Sequence, residues 1–417
     1  MEMRCTVCHK PYIGPRNHYV CTFCGASIES PVDLETQAAD LRSVLRNGSR
    51  DGIWGYRKFF AVSEQIEPVT MGEGCTPLVH AENLGIRYGF DNLFLKNETL
   101  NPSGTYKDRF ATVAMTLAKK DGIREVAIGS AGNAAAAVAA YAAKAGMDCY
   151  IMLPPGAVKE RAWQNMAYGG HFIHGMGGVD DCVKMAEDGE PIFGWKNMCT
   201  TMMNNPLGCD GYKTISYEIA RSMQFDVPDY IICPVGGGIL VHKVFRAYEE
   251  MKTLGMIDHL PKMIAVQAAG CAPLVKAFEK GERVTEKWEN GNTIAFAIFD
   301  PVTFEGITAL DTVRRSGGLA VAVPDEETLE AMRLCGRMEA ILPEPASAAT
   351  IAAAVKLLRE GVISKQDKVV CVLTGSGLRD LVLYGTDGGE IPQVQPGDTK
   401  SLEKAVQFYH RKRSEHE

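Results

Sequence analysis

A chain of 417 residues with 46% apolar and 23% charged residues has an ordinary globular composition, long enough for two or three domains. Its net charge of −7 argues against a nucleic-acid coating role. No apolar leader is visible at the start, and the longest uncharged stretch, 126–143, is an Ala/Gly run broken by Ser130 and Asn133. Neither a secretory signal nor a membrane span is therefore expected, and the expected protein is soluble and cytoplasmic. In chain order, the first feature is a pair of Cys-x-x-Cys knuckles, Cys5/Cys8 and Cys21/Cys24. This spacing lets four thiolates close a tetrahedron around Zn²⁺, and Gly25 suits the left-handed turn after a knuckle. A redox pair or free thiols are the alternatives. Four sulfurs leave no position for water, so a metal here would be structural. His9 and His18 are not needed as ligands, and the cysteines from Cys75 to Cys371 show no pairing pattern.

The charged stretch 33–50 predicts an amphipathic helix and a connector. Beyond it, strands are predicted at 93–95, 126–128, 149–153, 171–173, 230–233, 263–266 and 369–373. Helices are predicted between them, at 108–120, 213–223, 240–251 and 347–360. This alternation implies parallel sheets covered on both faces, and the strand count suggests two α/β domains. The basic patch His410-Arg411-Lys412-Arg413 reads as a solvated helix end.

The chemistry concentrates in four turns. Gly236, Gly237 and Gly238 follow an apolar strand and precede a helix, the form of a phosphate cradle or else of a tight turn. The spacing is not GxGxxG, and there is no Walker lysine. Gly129-Ser130-Ala131-Gly132-Asn133 offers backbone donors for a carboxylate, with Asn133 as a helix cap or an amide facing a ligand. Thr374 leaves the C-terminal end of a strand, where α/β folds bind ligands. Lys107 stands at the very start of a helix, where the macrodipole disfavours a cation. A lysine joined to an aldehyde cofactor as a Schiff base, or one whose pKa such a site lowers, accounts for that placement.

The run 101–109 resembles the cofactor-lysine motif of threonine synthase and its relatives, pyridoxal-phosphate enzymes of the tryptophan synthase β-type fold (fold type II). The resemblance continues in order through 72–78, 95–98, 130–133, 210–214, 236–238, 316–318, 344–348 and 374–380. It implies two doubly wound α/β domains with the cofactor between them, plus an N-terminal zinc ribbon. The ribbon would occupy 1–30, a large domain 31–105 and 216–400, a small α/β domain 106–215, and a tail 401–417. Lys107 would carry pyridoxal 5'-phosphate and move the Cα proton, and Asn133 would meet the phenolic oxygen. Gly236, Gly237, Gly238 and Ile239 would hold the phosphate, and Thr374 the pyridine nitrogen. Ser130, Ala131 and Gly132 would take the substrate carboxylate, with Glu344 near the ring edge.

The implied reaction is that of a lyase converting O-phospho-L-homoserine and water to L-threonine and phosphate. The resemblance also implies a homodimer whose only other partner is its amino-acid substrate. Two departures bear on the substrate. Ala134 stands where the family usually has a threonine that touches the substrate phosphate, and 154–161 differs from the usual run. Lys159 and Arg161 would supply phosphate contacts instead. The alternative is β-elimination or β-replacement on phosphoserine, serine, threonine or diaminopropionate, as in a dehydratase, an ammonia-lyase or a cysteate synthase-like enzyme.

Overall fold

The computed structural model describes residues 3–15, 18–48, 51–60, 62–130, 132–154, 159–385 and 391–414, with only the backbone described at 159–161 and 411–414. The chain divides into a unit Met1–Arg379 and a unit Asp380–Glu417. The second contains a short 3-10 turn, Leu381–Tyr384, and the helix Thr399–Ser414. Among the described residues, no helix is long and apolar enough to cross a membrane.

Among the described residues, the first unit holds twelve strands: β1 (Arg4–Cys5), β2 (Ile28–Glu29), β3 (Leu78–His80), β4 (Leu93–Asn97), β5 (Glu125–Gly129), β6 (Asp148–Leu153), β7 (His171–His174), β8 (Lys196–Asn197), β9 (Tyr230–Pro234), β10 (Lys262–Ala268), β11 (Leu319–Val323) and β12 (Val369–Leu373). They form a two-stranded antiparallel ribbon, a six-stranded sheet ordered β11-β10-β9-β12-β4-β3, and a four-stranded sheet ordered β7-β6-β5-β8. Both larger sheets are parallel except for edge strand β3. β9 and β12, inner strands of the larger sheet, are buried along their whole length, which is why they read as unbroken apolar runs. β7 lies at an edge and is largely exposed, so two histidines are tolerated at its ends.

Registers in the larger sheet put β9, β12 and β4 side by side and parallel. Their C-terminal ends therefore open at one rim, and each feeds one of the turns singled out above. β9 leads to Gly236, β12 to Thr374 and β4 to the loop carrying Lys107. β5 in the smaller sheet leads to Ser130 and Asn133. Ligand sites of parallel sheets form at such rims, because the turns there expose backbone donors at helix N-termini.

Beneath the Lys107 loop lies a buried ionic cluster. Arg109 donates to Glu98 at 2.6 and 2.8 Å and to both oxygens of Glu218 at 2.7 Å. Lys96 Nζ donates to Glu218 Oε2 at 2.6 Å and to Thr76 O at 2.6 Å. Two cations thus face two carboxylates with no net charge, in a setting where a lone charge would be costly. Burial raises the Glu218 carboxyl, but Arg109 and Lys96 outweigh it and hold it at about 2. Glu73, from the 72–78 motif, is likewise a structural hub: it accepts from Trp54 Nε1 at 3.1 Å and from Tyr141 OH at 2.6 Å.

Candidate active site

Lys107, Ser130, Gly132, Asn133, Gly236, Gly237, Gly238, Ile239 and Thr374 all line one cavity of about 150 Å³. Lys107 precedes helix Asp108–Lys120 with φ −61° and ψ −20°, and its Nζ donates to Thr200 Oγ1 at 2.9 Å. The rings of Tyr106 and Tyr212 lie 4.9 and 5.6 Å from that nitrogen. The loop is fixed to the end of β12: Tyr106 N and Thr105 Oγ1 donate to Thr374 O at 2.9 and 3.1 Å. The hydroxyl of Thr374 lies 3.1 Å from that of Ser347, at the start of helix Pro345–Arg359.

Asn133 does not cap its helix. The N-cap of helix Asn133–Ala145 is Gly132, and Asn133 is the first helical residue. Its amide instead donates to both oxygens of Glu344, at 2.8 and 2.9 Å, while Arg379 donates to its Oδ1. The side chain is drawn away from the helix end because two charged groups claim both ends of the amide. A Cβ on Gly375 would collide with Glu344 Oε1 and approach Asn133 Nδ2 at 3.0 Å. Gly375→Ala is therefore expected to destabilise the fold by about 1–3 kcal/mol through overpacking. Thermal unfolding checks this, and a Tm matching that of the unmodified chain would contradict it.

The glycine turn has the form of an anion cradle. Gly238 takes φ +101°, a left-handed conformation, directly before helix Ile239–Thr253. A Cβ on Gly236 would overlap Asp300 Oδ2, and one on Gly237 would lie 3.2 Å from Glu305 Oε2. Burial pushes the Asp300 carboxyl up to about 6, against the pull of Lys107 and of the Gly237 N–H. Burial pushes Glu305 up to about 8, offset in part by the N–H groups of Met202 and Met203 and by Lys107, and reinforced by Asp300. A cavity of this size, with a lysine, an asparagine amide oriented by Glu344 and Arg379, and a glycine cradle with little room for side chains, fits a phosphorylated aldehyde cofactor.

Thr200, Asp300 and Glu305 were not among the residues expected at the site. They arrive on loops that carry no glycine signature, and no local pattern marks them. Of the remaining expected residues, Ala131 lies outside the described residues. So do the side chains of Lys159 and Arg161, whose backbone begins helix Lys159–Ala167. Ala134 lines the cavity wall.

The four N-terminal cysteines meet. Their sulfurs all lie within 4.8 Å of one another, Cys5 to Cys24 at 3.4 Å and Cys8 to Cys21 at 3.6 Å, a set able to hold a tetrahedral metal ion. The N–H groups of Val7 and Cys8 both donate to Cys5 Sγ at 3.4 Å. The ribbon docks on the catalytic body. Ser27 N donates to Thr308 Oγ1 at 3.1 Å, Tyr19 N to Met203 O at 2.7 Å, and Glu29 pairs with Arg246 at 3.5 Å.

Comparison with known proteins agrees with this geometry. Residues 69–375 match the model of the pyridoxal-phosphate dependent enzyme family. The chain is 38% identical to threonine synthase of Methanocaldococcus jannaschii, over 91% of this chain and 93% of that one. It is 35% identical to threonine synthase of Methanosarcina acetivorans, over 97% and 98%. Among solved structures, maize serine racemase superposes with a TM-score of 0.61 at 22% identity, covering 80% of this chain and 93% of that one. The processed form of threonine deaminase isoform 2 from Solanum lycopersicum gives 0.63 at 19% identity, covering 91% and 99%; both share the fold. The chain belongs to the pyridoxal-phosphate dependent enzyme family, and within it to the threonine synthase-like lyases.

Proposed function

We propose that this enzyme is a threonine synthase, converting O-phospho-L-homoserine and water to L-threonine and inorganic phosphate with its cofactor on Lys107. The observation that carries the reading is the meeting of Lys107, Asn133, the 236–238 cradle and Thr374 in one cavity. When bound, pyridoxal phosphate supplies a conjugated electron sink for the pair left as Cα loses its proton. Lys107 Nζ takes that proton, with Thr200 Oγ1 as its resting partner. The cradle and Ile239 hold the phosphate at a helix N-terminus. Asn133, oriented by Glu344 and Arg379, faces the phenolic oxygen. Thr374 offers a hydroxyl where a carboxylate would hold the ring nitrogen protonated, which suits elimination and replacement over transamination. The 130–132 turn, including Ala131, takes the substrate carboxylate, and Lys159 and Arg161 take its phosphate.

The domain limits given above are part of the same reading, as are a homodimeric assembly, a cytoplasmic location and a structural zinc on Cys5, Cys8, Cys21 and Cys24. Elemental analysis is expected to find about one zinc per chain. Cys24→Ser is expected to lose the metal and to unfold at a lower temperature. Full thermal stability in a metal-free protein would contradict a structural metal.

Ala134, on the cavity wall where the family's phosphate-touching threonine usually stands, favours a second reading. In it, the enzyme eliminates or replaces a β-substituent on another amino acid. Product analysis separates the two. Equal amounts of threonine and phosphate from O-phospho-L-homoserine support the first. A keto acid and ammonia from serine, threonine or phosphoserine, with no threonine formed, would overturn it in favour of the second.

A further inference from the structure

The cradle at 236–238 is flanked by acid, an unexpected neighbour for a phosphate. Glu305 is 2% exposed, and of three of its polar atoms two are fixed. Its N–H donates to Gly237 O at 2.7 Å, and its Oε1 accepts from Met202 N at 2.8 Å. The third, Oε2, has no hydrogen-bond partner, lines the cofactor cavity, and lies 3.2 Å from where a Cβ of Gly237 would stand. A buried carboxyl oxygen without a partner is unfavourable, and this one is aimed into the cofactor cavity, where a ligand can pair it. An ionised carboxylate beside a phosphate dianion would repel it, whereas a carboxylic acid donates to it.

We propose that Glu305 is a positioning residue for the cofactor, its protonated Oε2 donating a hydrogen bond to a phosphate oxygen seated in the glycine cradle. This rests on the reading of 236–238 as the phosphate site. Among the described residues, Lys107, Asp300, Cys209 and Tyr212 act on Glu305. The charge of Lys107 opposes its protonation, and Asp300 favours it. Cys209 and Tyr212, pushed well above their ordinary ranges by burial, stay neutral through the pH range that matters. Asp300, at about 6, has lost most of its proton by pH 7, so its repulsion of the phosphate is a background that changes little above pH 7 and is not the source of the dependence expected there. Glu305, at about 8, changes charge between pH 7 and pH 9. A single group with that midpoint changes the affinity for a dianion about tenfold over this interval, weakening it as pH rises.

The test uses the full chain freed of cofactor and titrated with pyridoxine 5'-phosphate, which has no aldehyde and cannot react with Lys107. Pyridoxine, which lacks the phosphate, is the control. The expected result is a Kd for pyridoxine 5'-phosphate about tenfold weaker at pH 9 than at pH 7, with no such dependence for pyridoxine. Glu305→Gln, which keeps a donor and an acceptor, should bind at pH 7 within about threefold of the unmodified protein and show a flat profile. The ³¹P shift of the bound cofactor in the unmodified holoenzyme should titrate in the same window. This second readout stands even if the variant does not fold. Binding that is flat with pH in the unmodified protein, or equally pH-dependent in Glu305→Gln, would overturn the inference and leave the cofactor reading intact. No binding of pyridoxine 5'-phosphate at any pH would overturn both.

Discussion

Replacing Lys107 with alanine is expected to lower turnover by about 10³-fold or more, while the fold and the thermal stability of the cofactor-free chain stay within experimental error. Proton transfer by a positioned side chain contributes roughly 10²–10⁴-fold, and covalent attachment of the cofactor adds to that. Lys107 Nζ donates to Thr200 Oγ1 and lies beside the Tyr106 hydroxyl, and among the described residues it closes no ion pair, so its removal breaks no buried salt bridge. The unmodified protein should be yellow and lose its visible absorbance on borohydride reduction, and Lys107→Ala should lack that absorbance. Residual activity within tenfold of the unmodified enzyme would place the base elsewhere in the cavity.

The largest effect on stability is expected two positions further along. Arg109→Leu removes the guanidinium that holds Glu98 and Glu218, leaving Lys96 as the remaining cation for two buried carboxylates. Breaking a buried pair on one side costs about 3–5 kcal/mol, so denaturant unfolding should show a loss of that order or an insoluble product. The pH dependence follows with a definite sign. Arg109 and Lys96 hold Glu98 and Glu218 below the ordinary glutamate value of 4.5, against the effect of burial. Their contribution is present in full above that value and is lost as pH falls toward about 2. The unmodified protein should therefore lose stability steeply over that acidic interval. Arg109→Leu should already lack much of that contribution at neutral pH, and an equally steep acid loss in it would contradict the assignment.

The strand-to-helix turns were legible because each joins an apolar run to a helical period through glycine or a hydroxyl. All of them line the same cavity. Lys107 was legible because a cation at a helix start has no structural reason to be there. Helix Asp108–Lys120 has the limits expected of it, and Pro345–Arg359 begins two residues early, at a proline suited to the first helical turn. β11, Leu-Ala-Val-Ala-Val, was not among the expected strands. Its alternating alanines make a weak apolar run, and its place is set by pairing with β10. Of the two readings of Asn133, the cap fails, and its partners Glu344 and Arg379 could not be read locally because they are more than two hundred positions away. Distance also hid Glu305, whose nearest partners, Gly237 and Met202, stand 68 and 103 positions before it (305 − 237 and 305 − 202). Local pattern reports the turns, and only tertiary pairing reports what faces them.

The central claim is that phosphate leaves Cγ of O-phospho-L-homoserine and water then adds at Cβ. Turnover in H₂¹⁸O measures it directly. The reaction proposed here breaks the Cγ–O bond and forms a new Cβ–O bond, so one ¹⁸O should appear in the threonine hydroxyl and none in the released phosphate. Label in the phosphate with homoserine as the other product, or no reaction with this substrate, would contradict the claim.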